Sequence, residues 1–599
     1  MSDVVQHMIF SDSKPYFESA EVFGILSPFE PGAKTLPAGF KLTPESMALE
    51  EDLIFEKDIA LELRDGATLY TDVFRPVTDE KVPAIVSWSS YGKSSFTSPR
   101  YMNIYRGVGL SPAATSGLQK WEGSDPAWWC PKGYAIVNPD ARGIAHSAGD
   151  TTMIGTQEAE DAYDLVEWIA AQPWCNGKVA FSGCSYLAFS QWFIAAEQPP
   201  HLTCINPHEG LSDAYRDFAF RGGIEDKGFV EVLEGAHVGL PGSRREDWQA
   251  EMDAFPLITH PVWADKVARY ANIKVPAYVV ASYSNTLHTN GTFRAWREIA
   301  SEEKWLRIHN TQEWPDYYDE EGTRDRLRFF DHYLRGVDNG WEDTPRVRYS
   351  LLDMEDGDVV NIPDMQFPPA DVRYVTLYPK AMGRVLIPVK EERDIALRYL
   401  TDGVSDKLGI AENMRVGAGQ LSFIHTFDKK TEMIGYPSVH LSVEVADADD
   451  MELYIVLQKL DKHGNTCDEF CIPNKTCFMR DFTDHSDSIV RYMGPSGRIK
   501  ASLRHLDEEK STDDIPVQSY DRIEKLSPGE IVELDVALMP TGLVFYPGES
   551  MRLLISPRNI CQNILGWVPS HKDENAGMHI IHIGGEHPSW LRVPLRVVE

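Results

Sequence analysis

Short apolar runs separated by turn residues dominate residues 58–205. Residues 58–63 and 68–74 alternate apolar and polar positions on either side of Arg64-Asp65-Gly66, which predicts a hairpin. Residues 82–88 and 134–138 are continuous apolar runs, the pattern of strands covered on both faces. Residues 157–171 place Ala162, Leu165, Val166, Ile169 and Ala170 on one side of a helix. Another apolar strand precedes Ser185, and a second helical run follows it. Strands alternating with helices predict a parallel sheet with helices on both faces. The rhythm breaks over residues 206–270, which are rich in glycine, acidic and aromatic residues, with helical fragments at 213–220 and 244–253; these predict an inserted helical cap. Alternation then resumes with a strand at 275–281, a helix at 292–300, a strand at 304–308 and a helix at 322–336.

From about residue 345 the helical period fades. Short alternating strands recur at 439–445, 451–457, 531–538 and 551–555, with turns at 461–465 and 527–530 between them. This predicts an all-β sandwich of jelly-roll type. Residues 1–50 carry Pro15, Pro28, Pro31, Pro37 and Pro44 with little periodicity, and read as an arm over the body. The expected organisation is an arm over 1–50, an α/β domain over 51–205 and 271–345, a helical cap over 206–270, and a β-sandwich over 346–599.

A chain of 599 residues exceeds one hydrophobic core. Its net charge of −33 argues against nucleic acid or an anionic membrane as partner. No run of 18 apolar residues is present, so no membrane span is expected, and the N-terminus shows no basic segment leading into an apolar one. The eight cysteines are scattered, with Cys175, Cys184 and Cys204 in or beside apolar segments, which suits reduced thiols in a cytoplasmic protein. Cys467, Cys471, Cys477 and His485 cluster, but at no zinc spacing, so no metal is expected.

The candidate chemistry centres on Gly177 to Ala188. The segment reads as a buried strand, a tight turn with Ser185 at its tip, and a helix. A serine there exposes its hydroxyl beside the first backbone N–H groups of the helix, and small residues on both sides let strand and helix approach. Gly183 and Ala188 supply that space, whereas Leu187 stands where the nucleophile-elbow pattern has glycine. The competing reading is that Ser185 only caps the helix.

Several segments in order resemble one family, the α/β-hydrolases of the X-Pro dipeptidyl-peptidase and cocaine-esterase type (CocE/NonD). Gly183-Cys184-Ser185-Tyr186-Leu187-Ala188 is similar to its Gly-x-Ser-Tyr-x-Gly elbow, with alanine in the last place. Asp140-Ala141-Arg142-Gly143 with Ser147 and Gly149 resembles its D-x-R-G-x-x-x-S-x-G loop, and residues 329–336 its F-F-D-x-x-L-[KR]-G helix. Residues 501–504 and 587–591 in the β region are also similar. The resemblance covers residues 55–599. It implies an α/β-hydrolase fold with a cap and a C-terminal β-sandwich, a serine nucleophile at Ser185, and an oxyanion hole from the Tyr186 N–H and Tyr91.

The resemblance does not transfer to the other two catalytic positions. Where the family has Trp-Tyr-Asp after a strand, this chain has Tyr283-Ser284-Asn285; where it has its histidine, this chain has Glu313. His288, three residues after Asn285, offers a repair: histidine and acid exchange loops, with His288 as base and Glu313 orienting it. His309 is the second candidate base, with Asn285 as an accessory group; His146 and His208 also sit in loops that could reach the site. Each has an ordinary alternative: Tyr91 as a loop aromatic, His288 as a packing histidine, Glu313 as a partner for Arg307. The leading expectation is a cofactor-free serine hydrolase acting on a small-molecule ester or amide through an acyl-enzyme. The alternatives are an acyltransferase or cyclase on a specialised metabolite, and an inactive binding protein of the same fold. The resemblance is also compatible with a homodimer.

Overall fold

The continuous apolar runs become the centre of one large sheet. A computed structural model describes residues 3–15, 28–94, 105, 108–235, 237–401, 419–467, 492–560 and 574–598 of the chain. The sheet has eleven strands: β1 Gly32–Leu36, β2 Leu53–Glu62, β3 Thr68–Pro76, β4 Val82–Val86, β5 Ala135–Asp140, β6 Cys175–Cys184, β7 Leu202–His208, β8 Ala277–Ser282, β9 Lys304–His309, β10 Val347–Leu351 and β11 Val359–Asp364. Their order is β11-β10-β9-β8-β7-β6-β4-β5-β3-β2-β1. Neighbours from β5 to β10 run parallel. The pairs toward both edges are antiparallel. β4, β5 and β8 are buried at every position, which is why they lack alternation in the sequence. Helices α1 Thr156–Ala170, α2 Tyr186–Ala196, α3 Thr289–Glu298, α4 Glu313–Tyr318 and α5 Glu320–Arg335 connect the strands.

The structure departs from the expected layout at the sheet edge, in the insertion and along the arm. β10 and β11 extend the α/β sheet, so its edge lies beyond the expected boundary at 345. β11 is an antiparallel edge strand, exposed or half-exposed along its length, and so carries the same alternating signature as the β-sandwich. Within the insertion, Arg244–Glu246 is a strand rather than the start of a helix, and pairs with Phe10–Asp12 of the arm. The helix there is Trp248–Ala254, capped by Asp247. The arm is also stitched in by Lys14–Pro15 pairing with Val238–Gly239, and by β1 on the sheet edge.

The C-terminal region is all β. One sheet is built around Ser438–Val445, Met578–Ile583 and Trp590–Val597, a second around Glu452–Leu460 and Ser550–Ser556, and the pairings between these strands are antiparallel. Cys130, Cys175, Cys184 and Cys204 are buried free thiols. Cys471, Cys477 and His485 lie outside the described residues. Among the described residues no helix is long and apolar enough to cross a membrane.

Candidate active site

The C-terminal ends of β4, β6, β7, β8 and β9 converge on one place. β6 ends at Cys184 and α2 begins at Tyr186, so Ser185 alone makes the turn. Its backbone sits at φ 57° and ψ −120°, a strain of about 1–3 kcal/mol that persists only where the surroundings enforce it. They do. The Ser185 N–H donates to the Glu209 carbonyl at 2.9 Å, and the Cys184 N–H to the Glu122 carbonyl at 3.1 Å. A Cβ on Gly183 would lie 2.5 Å from the Leu187 Cβ, so the missing side chain at 183 makes room for the leucine that departs from the elbow pattern. Likewise a Cβ on Gly210 would lie 2.7 Å from the Ala188 Cβ, which accounts for alanine at that position.

His288 follows β8 and directly precedes α3. Its Nε2 lies 3.2 Å from Ser185 Oγ. Glu313 opens α4 after β9, and its Oε2 lies 2.9 Å from His288 Nδ1. Asn285 completes the group. Its Oδ1 accepts the Leu287 and His288 N–H groups at 3.1 and 3.2 Å, which orients the amide. The Nδ2 then points inward, donating to Glu313 Oε2 at 3.2 Å, and lies 2.8 Å from His288 Nδ1. All three side chains are at most 9% exposed. Burial pushes the His288 imidazole down to about 4, and pushes the Glu313 carboxyl up, helped by neighbouring Glu209. Both directions favour a neutral imidazole at neutral pH.

Glu209, at the end of β7, has no precedent in the sequence reading. Its Oε2 accepts the Ser282 hydroxyl at 2.9 Å, and its Oε1 pairs with His309 Nε2. His309 therefore faces Glu209 rather than Ser185, so the structure does not place this second candidate base at the nucleophile. His208 packs beside His309 with ring centroids 5.5 Å apart, and His146 packs against Phe29. Sequence alone could have flagged Glu209 only by its place, the first residue after a buried strand between the elbow strand and the His288 strand. The buried trios His208–Glu209–His309 and Glu209–His288–Glu313 bring ligand atoms within 4.8 Å of one another. Within them His309 pairs with Glu209 and His288 with Glu313, and no metal is assigned to either trio.

Tyr91 stands on the loop after β4, and its ring lies 5.6 Å from that of Tyr186 at the mouth of the Ser185 pocket. Two buried lysines hold this loop. The Lys93 ammonium lies 2.7 Å from Asp58 and 3.2 Å from Asp140, and Lys120 donates to the Ser89 and Pro139 carbonyls. Asp140 also accepts the Lys93 N–H, so the Asp140–Gly149 segment supports the loop. Arg142 in that segment forks onto Asp161 with two contacts of 2.7 Å. Glu158 ties the Trp88 indole N–H, the Ile154 N–H and the Tyr186 hydroxyl together, which fixes the first turn of α2.

The pocket over Ser185 is small, about 20 Å³, and apolar, with Phe189, Leu211, Phe218, Phe229, Trp248 and Leu287 in its walls. Of the insertion aromatics Phe218, Phe220, Phe229, Trp248 and Phe255, only Phe218, Phe229 and Trp248 line this pocket. Phe220 instead stacks on Tyr215, and Phe255 on His260.

Residues 65–312 match the X-Pro dipeptidyl-peptidase (S15 family), and residues 339–592 match the X-Pro dipeptidyl-peptidase C-terminal non-catalytic domain. A solved CocE/NonD family hydrolase from Staphylococcus aureus is 31% identical, with a TM-score of 0.83, over 95% of this chain and 97% of that one. Cocaine esterase from Rhodococcus sp. is 23% identical over 90% of this chain and 98% of its own length. An alpha-amino acid ester hydrolase shares the fold, with a TM-score of 0.66 at 16% identity over 91% of this chain and 97% of that one.

Proposed function

Because the chain belongs to the CocE/NonD, X-Pro dipeptidyl-peptidase-like family of α/β serine hydrolases, we propose that Ser185, His288 and Glu313 are its catalytic triad and that it cleaves a small ester or amide through an acyl-enzyme. The observation that carries this reading is the contact chain from Ser185 Oγ through both nitrogens of His288 to Glu313.

Ser185 Oγ attacks the carbonyl carbon while His288 Nε2 takes its proton. Glu313 accepts from Nδ1–H, fixes that tautomer and balances the imidazolium that forms. Asn285 donates to the same carboxylate oxygen and holds it in place. The developing oxyanion is met by the Tyr186 N–H and by Tyr91, each such donor contributing about 3 kcal/mol. His288 then protonates the leaving group, and water attacks the acyl-enzyme with His288 as base. The small apolar pocket favours a compact, uncharged acyl group.

Relative to the family pattern, acid and base have exchanged loops, and the asparagine belongs to that exchange. With glutamate at 313, an aspartate at 285 would set two carboxylates in contact in a buried site. The test is turnover of an activated ester by Ser185→Ala. Loss of essentially all turnover with an unchanged circular dichroism spectrum supports the reading; retained turnover overturns it.

A further inference from the structure

Behind the catalytic loop lies a second cavity, of about 150 Å³, between the insertion, α3 and the β-sandwich. Leu287 belongs to the walls of both this cavity and the Ser185 pocket, and Thr286 and Asn290 flank it. The two spaces are therefore separated by the segment that carries His288.

The lining is strongly basic. Arg216, Arg221, Arg294, Arg297 and Arg498 all contribute, in a chain whose net charge is −33. Their carboxylate partners are fewer. Arg216 pairs with Asp213 at 2.7 Å and Arg294 with Asp217 at 2.8 Å, while Arg221 and Arg498 both pair with Asp226. Arg297 lies over the Tyr436 ring at 5.0 Å and forms no ion pair among the described residues. Among the described residues these five guanidinium groups thus face three carboxylates. Donor capacity is also left over: the Nε atoms of Arg216 and Arg221 are buried with no hydrogen-bond partner among the described residues. Buried cationic donors without acceptors are costly, and an oxyanion with several lone pairs would satisfy them in the forked geometry that arginine favours.

We propose that this cavity binds a small oxyanion-bearing ligand, carboxylate or phosphate.

The test is calorimetric titration of the full-length protein with glutarate and with inorganic phosphate, and with 1,5-pentanediol as the uncharged counterpart of glutarate. Saturable binding of either anion at one site, with no saturable binding of the diol, is expected; the tighter anion identifies the carboxylate or the phosphate source. Arg297→Gln should weaken that binding at least tenfold and Arg297→Lys less, with thermal unfolding midpoints within a degree of wild type. Absence of saturable anion binding, or equal binding by Arg297→Gln, overturns the inference. The titration does not depend on turnover. Failure here with Ser185 still reactive removes only the anion site, whereas anion binding by a protein with an unreactive Ser185 removes only the hydrolase reading.

Discussion

His288 Nε2 lies 3.2 Å from Ser185 Oγ although the two residues leave the sheet from β8 and β6, with β7 between them. The loop after β8 therefore has to bend back across the end of β7, and its local bonds show how it does so. Asn285 closes the turn onto the Leu287 and His288 N–H groups, and Thr289 Oγ1 donates to the Ser282 carbonyl at 3.0 Å. A six-residue connection from β8 to α3 is thereby fixed at both ends.

Glu313→Gln keeps the shape of the side chain and removes its charge. It should lower kcat/KM by roughly 10²–10⁴-fold, the range expected when the group that fixes the imidazole tautomer loses its carboxylate. Thermal stability should change little. Steady-state kinetics on an activated ester checks this, and a change below threefold would assign Glu313 a packing role.

Asn285→Asp places a second carboxylate 3.2 Å from Glu313 in a buried site. The two cannot both ionise, so one carboxyl titrates higher in the folded state than its unfolded value of about 4. A raised carboxyl favours the folded state only while it is protonated. The loss of stability should therefore be small below pH 4 and should grow as pH rises, at roughly 1.4 kcal/mol per unit until the folded value is passed. Denaturant unfolding at pH 4.5, 6 and 7.5 measures that trend.

The acid side of the pH profile should report Glu313. Burial holds the His288 imidazole down near 4, while burial and neighbouring Glu209 push the Glu313 carboxyl above its usual range. The imidazole is then already neutral where Glu313 loses its proton, so kcat/KM should rise with pH as that carboxyl ionises, with circular dichroism recorded at each point to follow the fold. The residual activity of Glu313→Gln should lack this limb; an acid limb unchanged in that variant would contradict the environment described for Glu313.

Gly183→Ala drives a Cβ to 2.5 Å from the Leu187 Cβ in a backbone of φ +155°, and Gly210→Ala drives one to 2.7 Å from the Ala188 Cβ. Each should cost about 1–3 kcal/mol of stability. Gly183→Ala should also reduce kcat, because the displaced turn carries Ser185. Adding Leu187→Gly should restore part of the stability lost in Gly183→Ala, and a double-mutant cycle reads the coupling directly.

Much of this was legible in the chain. The buried strand ending at Cys184, the small residues about Ser185 and the ionisable groups on two neighbouring loops were visible as apolar runs and their exits. Glu209 was not, because a lone acidic residue after a strand looks the same whether it is solvated or, as here, held by Ser282 and His309. The pocket wall was only partly legible. Phe218 and Phe220 sit two residues apart in the same run, yet one faces the nucleophile and the other Tyr215, a choice made by tertiary packing. The extra sheet edge at β11 was hidden for a similar reason, since a half-exposed antiparallel strand carries one pattern in either domain.

The most direct measurement is intact-mass analysis after reaction with a fluorophosphonate, on the wild type, Ser185→Ala and His288→Ala. A single adduct on wild type that maps to Ser185, is absent from Ser185→Ala and forms at least a hundredfold more slowly on His288→Ala is the predicted result. An unlabelled wild type, or labelling of His288→Ala at the wild-type rate, would contradict the account of Ser185 as a nucleophile activated by His288.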